Sequence, residues 1–90
     1  MPTLRIPTPL RSYTNGQREV ALQGENVAAV MNDLIVQYPS LRPHLFNGDG
    51  QLRPFVNLFL NDENIRDLQG VDTPLQADDQ LLLIPSVAVG

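Results

Sequence analysis

Side chains that could act as acids, bases or metal ligands are few and scattered in this sequence. His44 is the only histidine, and there is no cysteine. One histidine without a cysteine or a second histidine cannot form a zinc site, so we expect His44 to be an ordinary loop residue. The carboxylates of Asp62-Glu63 and Asp78-Asp79 are neighbours on expected turns, where adjacent side chains point apart instead of facing one substrate. We therefore expect no catalytic residue, no metal site and no cofactor.

Motifs that bind phosphate or supply a nucleophile are also missing. Gly48-x-Gly50 is too short for a phosphate-binding loop and does not lie between a strand and a helix. Without cysteine there is no thiolate nucleophile. All six basic residues are arginine, so chemistry that needs a lysine amine is excluded as well. We expect a protein that is not an enzyme.

The overall composition limits the size and the partners of the protein. Ninety residues, of which 42% are hydrophobic, suffice for one domain with one core. The net charge of −4 argues against nucleic-acid binding, which needs a basic face, and against docking to an anionic membrane. The longest apolar stretch, residues 81–85, is far shorter than the ~20 residues of a membrane span. The lack of cysteine suits a reducing compartment, so we expect a cytoplasmic protein.

Charge is distributed unevenly along the chain. Residues 46–90 contain seven acidic residues and two arginines, whereas residues 1–45 contain three acidic residues and four arginines. Two interpretations of this pattern remain open. The acids can be solvated turn residues, or they can surround the C-terminal strand and attract a basic partner.

The first half of the chain predicts a β-hairpin followed by one helix. Leu4 and Ile6 alternate with polar residues as in a half-buried strand, and a second alternating segment covers residues 18–23. A long turn that contains an Asn-Gly pair joins the two strands. Asn26 is a good N-cap, and the apolar residues from Val27 to Tyr38 recur at helical spacing. We expect a helix of about three turns there.

The second half predicts two or three more strands. After a short connector and a loop, residues 55–60 alternate, a turn leads to a short strand around Ile65, and residues 80–84 form the last strand. One helix can cover one face of such a sheet, while the first and last strands pair in parallel at its centre. The predicted fold is α+β. It is a β-grasp, or ubiquitin-like roll, with a mixed four- to five-stranded sheet on one main helix. This domain covers residues 1–84, and residues 85–90 form a flexible tail.

Alternation along the strands separates buried apolar residues from exposed ones. The expected core comprises Leu4, Ile6, Val20, Leu22, Val27, Val30, Met31, Leu34, Val56, Leu58, Leu60, Ile65, Leu81 and Leu83. Four large apolar residues remain for the other face of the sheet: Phe55, Phe59, Leu82 and Ile84. An exposed apolar patch of this kind is typical of an interaction surface, so we predict that these four residues bind a partner protein.

Several short motifs recur here in an order and spacing that characterise one family. They are Ile6-Pro7-Thr8 with Leu10-Arg11, the helix stripe from Val27 to Tyr38, Phe55-Val56-Asn57, Asn61-Asp62-Glu63 with Ile65-Arg66, Asp79, Ile84-Pro85-Ser86-Val87-Ala88 and a terminal Gly90. With these motifs the chain resembles the ubiquitin-like sulfur carriers of the MoaD/ThiS superfamily. It is most similar to the carriers that serve a cysteine synthase, and the resemblance covers nearly the whole chain.

This resemblance implies a carrier that other enzymes modify. In such proteins the C-terminal tail enters a narrow channel of an ATP-dependent activating enzyme, where the carboxylate is adenylated and becomes a thiocarboxylate. The resemblance makes Gly90 the site of that chemistry. The residues implied to thread into the channel are Pro85, Ser86, Val87, Ala88 and Val89. The implied partners are an adenylating and sulfurtransferase enzyme of the ubiquitin-activating type, and a sulfur-acceptor enzyme. That acceptor is either a pyridoxal-phosphate-dependent cysteine synthase or the large subunit of molybdopterin synthase.

One position departs from the pattern of these carriers, whose tails usually end in Gly-Gly. The penultimate residue here is Val89, which is β-branched, stiffer and wider than glycine. Two functions therefore remain. The chain is a sulfur carrier for cysteine, molybdopterin or a related product, or it is a β-grasp binding module that is not activated and regulates a metabolic enzyme through its sheet. Because it lacks lysine, it could modify other proteins but could not be joined to itself through a lysine.

Overall fold

The computed structural model describes residues 1–85, and its centre is a mixed sheet of five strands. The strands are β1 (Thr3–Arg5), β2 (Glu19–Ala21), β3 (Val56–Leu60), β4 (Glu63–Asn64) and β5 (Gln80–Pro85). Two helices accompany them, and several short 3₁₀ segments connect the elements. The helices are α1 (Val27–Gln37) and the single-turn α2 (Arg42–Leu45). No helix within residues 1–85 is long and apolar enough to cross a membrane.

Strand β5 lies at the centre of the sheet, whose order is β2-β1-β5-β3-β4. It pairs in parallel with β1, where Leu4 is opposite Leu81, and antiparallel with β3, where Leu58 is opposite Leu83. Two parallel strands need a long connection between them, and the elements from β2 to β4 form the connection between β1 and β5. The first and last strands therefore meet at the centre of the sheet, as the sequence predicts. Helix α1 covers one face of the sheet, and the other face is open.

Helix α1 is anchored at its start and along its buried face. Asn26 caps it, because Asn26 Oδ1 accepts a hydrogen bond from the backbone N–H of Ala29 at 2.8 Å. Asp33 Oδ2 accepts from the backbone N–H of Gln23 at 2.9 Å, which ties the helix to the segment after β2. The buried residues of the helix are those of the predicted stripe: Val27, Val30, Met31 and Leu34.

Close contact between the chain before α1 and the helix backbone requires glycine at position 24. A Cβ atom on Gly24 would lie 2.6 Å from the backbone nitrogen of Val30 and 2.9 Å from the Cβ of Ala29. We expect Gly24→Ala to lower the free energy of unfolding by about 1–3 kcal/mol, since the backbone must shift to admit the methyl group. Chemical denaturation measures this loss. Gly48→Ala is the control, because a Cβ there meets nothing within 4 Å. An equal effect of both substitutions would contradict the prediction.

The core is larger than strand alternation predicts. Every expected core residue is buried except Leu60, which is half-buried and packs against the core. Three further leucines are buried as well: Leu10, Leu41 and Leu45. They lie on the segments that the sequence assigns to a long turn and a connector. These segments therefore belong to the packed body of the domain.

Both of these segments are helical. Residues Thr8–Thr14 form a 3₁₀ helix where the sequence predicts a long turn. The predicted connector consists of a 3₁₀ turn, Pro39–Leu41, that continues into α2. All three helical pieces carry a proline in their first two positions. Proline fixes φ at a helical value and loses no hydrogen bond in a first turn, which explains why these segments coil.

A tight turn joins β3 to β4. Asn61 and Asp62 have φ angles of 49° and 74°, and two left-handed residues in succession are what a two-residue hairpin loop requires. The short strand that the sequence places around Ile65 lies at Glu63–Asn64, and Ile65, which is buried, begins a 3₁₀ turn. The observed strand therefore lies one or two residues before the predicted one, because the hairpin loop contains only Asn61 and Asp62.

Candidate functional site

The open face of the sheet carries an apolar patch. Side chains of β5 alternate between the core and this face, so Leu83 is buried while Leu82 and Ile84 are exposed by 38% and 42%. Phe59 lies opposite Leu82 in the ladder between β3 and β5 and is half-buried. The structure thus brings three of the four predicted partner-binding residues together on two adjacent strands.

Phe55, the fourth predicted residue, lies just outside β3. It occupies the turn before the strand and is 41% exposed. Its neighbour Val56 begins β3 and lies opposite Pro85, the last residue of β5. Phe55 therefore flanks the end of the sheet at which Pro85, the last described residue, lies. We call Phe55, Phe59, Leu82 and Ile84 together the open-face patch.

Two shallow grooves lie on either side of Leu82. One, of about 540 Å³, is bordered by Arg5 and Phe59. The other, of about 400 Å³, is bordered by Pro9, Ile84 and other residues at the end of β5. Small-molecule sites enclose most of their ligand, whereas these grooves are open along the sheet. The surface suits a protein partner better than a small ligand.

Charges of both signs border the open-face patch. Arg5 lies opposite Glu19 in the ladder between β1 and β2, and Asp62 lines the groove near the hairpin loop. Arg66 lies beside the first residues of β3. Of the seven acids of residues 46–90, Asp49, Asp67 and Asp72 lie away from the strands, whereas Glu63 lies in β4. The other three lie next to strands: Asp62 in the hairpin loop before β4, and Asp78 and Asp79 directly before β5. Both interpretations of these acids, as solvated turn residues or as an acidic surround of the last strand that attracts a basic partner, therefore stay open.

The described part of the chain ends beside the open-face patch. Strand β5 extends through Pro85, which is half-buried and in register with Val56. The sequence predicts that the tail begins at residue 85, and Pro85 is also the last described residue of β5. The other predicted tail residues lie outside the described residues: Ser86, Val87, Ala88, Val89 and Gly90.

One guanidinium group holds the turn that carries Phe55. Arg66 Nη1 donates a hydrogen bond to Asn57 Oδ1 at 2.6 Å, and Nη2 donates to the backbone carbonyls of Pro54 and Val56, both at 3.0 Å. Arg66 has no role in the sequence-based interpretation of the site. Its acceptors lie nine to twelve positions away, and backbone carbonyls leave no signature in a sequence.

His44 and Asp79, two of the residues that could act as an acid, a base or a metal ligand, lie in solvent or hold a turn. His44 lies on α2 and not in a loop, where it is exposed and stacks on Tyr13 with ring centroids 4.4 Å apart. Asp79 Oδ2 accepts a hydrogen bond from the backbone N–H of Gln76 at 2.7 Å, in the turn before β5. Within residues 1–85, no group of three or more His, Cys, Asp or Glu side chains could hold a metal ion. What the described residues provide is an exposed apolar patch on the open face of the sheet.

Comparison with known proteins identifies the family of this surface and fold. The profile of the ThiS family matches residues 4–90, so the chain belongs to the ThiS family. It is a homologue of a sulfur carrier. Over 98% of its length it is 37% identical to the sulfur carrier protein CysO of Mycobacterium tuberculosis, of which 97% is covered. The resemblance inferred from the sequence motifs is confirmed.

Solved structures of similar proteins share the fold. A chain of the BexX/CysO complex of Amycolatopsis orientalis superimposes with a TM-score of 0.89 and 30% identity, over the whole of both chains. Small archaeal modifier protein 1 of Methanosarcina acetivorans superimposes with a TM-score of 0.88 and 29% identity, over 99% of this chain and 95% of that one. The ubiquitin-like β-grasp predicted from the order of elements is confirmed.

Proposed function

We propose that this chain is a sulfur carrier and that the carboxylate of Gly90 is the group that carries the sulfur. A carboxylate oxygen attacks the α-phosphate of ATP in an activating enzyme, pyrophosphate leaves, and an acyl-adenylate forms. A sulfur nucleophile of the activating system then attacks the acyl carbon. With sulfide-level sulfur as the nucleophile, the carbon–sulfur bond forms, the carbon–oxygen bond to AMP breaks with its electron pair on AMP, and loss of the S–H proton leaves a thiocarboxylate. The chain is the substrate of these steps and supplies no catalytic side chain.

The single observation that carries this proposal is membership of the ThiS family, whose profile matches residues 4–90 and so includes Gly90. The central strand β5 runs to Pro85, the last described residue, beside the open-face patch. Five residues follow in the sequence, and an extended chain of that length reaches about 17 Å. That reach suffices to bring a carboxylate into an enzyme bound to the patch. The small side chains of Ser86 and Ala88 suit passage through a narrow channel.

Two protein partners follow from this function. The first is an adenylating and sulfurtransferase enzyme of the ubiquitin-activating type. The second is a sulfur acceptor, for which we favour a pyridoxal-phosphate-dependent cysteine synthase, because the similar carrier of Mycobacterium tuberculosis is CysO. The large subunit of molybdopterin synthase is the alternative acceptor. The Amycolatopsis orientalis complex of BexX with CysO supports the view that a partner protein binds such a carrier. These steps belong to the cytoplasm, where the reducing environment preserves a thiocarboxylate.

Intact mass spectrometry tests the proposal directly. The protein is purified without reducing agents from its own host, and its mass is compared with that of the same chain made in a host without the activating enzyme. We expect a fraction whose mass has increased by the replacement of one oxygen atom with sulfur, and fragmentation should place the change at Gly90. A homogeneous, unmodified mass in every growth condition, together with no ATP-dependent reaction, would refute the sulfur-carrier function.

The second candidate function, a binding module without activation, is favoured by one residue, Val89. Valine is stiffer and wider than the glycine usual at this position. We expect Val89→Gly to be activated by the enzyme of the same organism at a rate similar to that of the natural sequence, because the enzyme and its carrier are adapted to each other. ATP–pyrophosphate exchange measures this rate. Activation that appears only in Val89→Gly would show that the natural chain is not activated and would favour the binding module.

A further inference from the structure

We infer that Arg66 is a positioning residue for docking to the activating enzyme. Its guanidinium fixes the turn of residues 53–56 and thereby fixes Phe55 near Pro85, the last described residue of β5. This inference rests on the proposed function, since it concerns the encounter that brings the tail to the enzyme. It assigns the residue an effect on binding and none on the chemical steps.

Arg66 is itself held firmly in place. Its neighbour Ile65 is buried in the core, with 4% of its surface exposed. The backbone N–H of Arg66 donates to Asn64 Oδ1 at 2.9 Å, which caps the 3₁₀ turn Ile65–Asp67. The position of the Arg66 Cα relative to β3 and β4 is therefore fixed independently of the contacts of its side chain. A fixed base is what allows a long side chain to hold another segment.

The turn that Arg66 holds has few hydrogen bonds of its own. The backbone N–H of Val56 donates to the carbonyl of Arg53 at 3.0 Å and closes the turn. Pro54 has no N–H to donate. The remaining hydrogen bonds of the turn come from Arg66. Its Nη2 donates to the carbonyls of Pro54 and Val56 at 3.0 Å and makes a longer contact of 3.4 Å to the carbonyl of Arg53. One guanidinium thus binds three carbonyls of a single turn.

Other elements fix both ends of this turn. The guanidinium therefore determines the backbone conformation between those ends, where Phe55 lies. Arg53 is bound to the α2 region, where its backbone N–H donates to the carbonyl of Leu45 and its Nε donates to the carbonyl of Pro43, each at 2.9 Å. Val56 begins β3 opposite Pro85. Phe55 lies between these anchors and is 41% exposed. Its aromatic ring is therefore presented from a turn that is ordered before any partner binds.

Order before binding improves affinity, because the partner does not have to restrict the turn at the moment of association. The planar guanidinium can donate to several acceptors at once, while a lysine ammonium is a compact point charge on a flexible stem. Charge alone should therefore not replace Arg66. This separates the inference from a simple electrostatic attraction between a positive charge and the enzyme.

The test compares Arg66→Ala and Arg66→Lys with the natural chain. Arg42→Ala is the matched control, because it removes the same charge from the helix side of the sheet. We expect KM for the carrier in ATP–pyrophosphate exchange to rise about five- to tenfold in both Arg66 variants, with kcat little changed. Hydrogen exchange at the Val56 amide should become faster in both variants. Arg42→Ala should leave KM and Val56 exchange as they are.

Three outcomes would overturn the inference. Restoration of the natural KM by Arg66→Lys would show that charge and not the guanidinium geometry is required. Unchanged KM and unchanged Val56 exchange in Arg66→Ala would show that the turn does not depend on Arg66. If the natural chain is not activated at all, the proposed function fails, and the docking role fails with it. The first two outcomes require an active natural chain, so they are distinguishable from the third.

Discussion

Leu58→Ala is expected to lower the free energy of unfolding by about 2–5 kcal/mol. Leu58 is 1% exposed, lies opposite Leu83 in the sheet and belongs to the core beneath α1. Removing its three outer carbon atoms leaves a cavity that the surrounding strands can close only in part, so both the lost transfer energy and the cavity contribute. Urea unfolding followed by circular dichroism measures the change, and the m-value should stay constant.

Leu82→Ala is the matched control for this prediction. Leu82 is the same residue type on the neighbouring strand, but it faces the open side and is 38% exposed. Its truncation should cost clearly less, since much of the side chain is already in water. If Leu82→Ala costs as much as Leu58→Ala, the two faces of the sheet are assigned wrongly.

Phe59→Asp is expected to weaken binding to the activating enzyme by roughly 30-fold or more, which corresponds to the ~2 kcal/mol of a binding hot spot. Phe59 lies opposite Leu82, at the end of the open-face patch nearer the hairpin loop. A carboxylate there loses the aromatic contact and must be desolvated when the partner covers it. Isothermal titration calorimetry with the purified enzyme gives Kd for both forms.

The comparison needs a control for the new charge and a check of the fold. Val36→Asp serves as the control, because Val36 is 69% exposed on α1, on the opposite side of the sheet from the patch. It should leave Kd unchanged. Because Phe59 is half-buried, circular dichroism must show that Phe59→Asp remains folded at the assay temperature. Undiminished binding of the folded Phe59→Asp protein would mean that the open-face patch is exposed surface without a role in docking.

Periodicity accounts for the parts of the fold and site that could be predicted. Period-two alternation in β5 assigns Leu81 and Leu83 to the core and Leu82 and Ile84 to the open face, and the structure places all four as expected. Helical spacing and the Asn26 cap predict α1 equally well. These signals are local, because each element must bury one face whatever surrounds it.

Features that depend on distant segments could not be predicted in this way. Leu10, Leu41 and Leu45 are buried because short proline-initiated helices fold back onto the core, and such short pieces contain too few apolar residues to show a period. The hydrogen bonds of Arg66 join a 3₁₀ turn to the start of β3. Backbone carbonyls accept those bonds, and every residue has one. No residue type near Pro54 therefore indicates that Arg66 binds there.

The central place of β5 also determines how the domain responds to mechanical force. A protein that pulls on the tail applies tension along β5, which is bonded to β1 on one side and β3 on the other. Those two ladders are loaded in shear, so many hydrogen bonds must break together, whereas an edge strand pulled sideways would open one bond after another. Forced unfolding is governed by the rate of crossing that barrier. A partner can therefore pull the tail taut against a domain that stays folded.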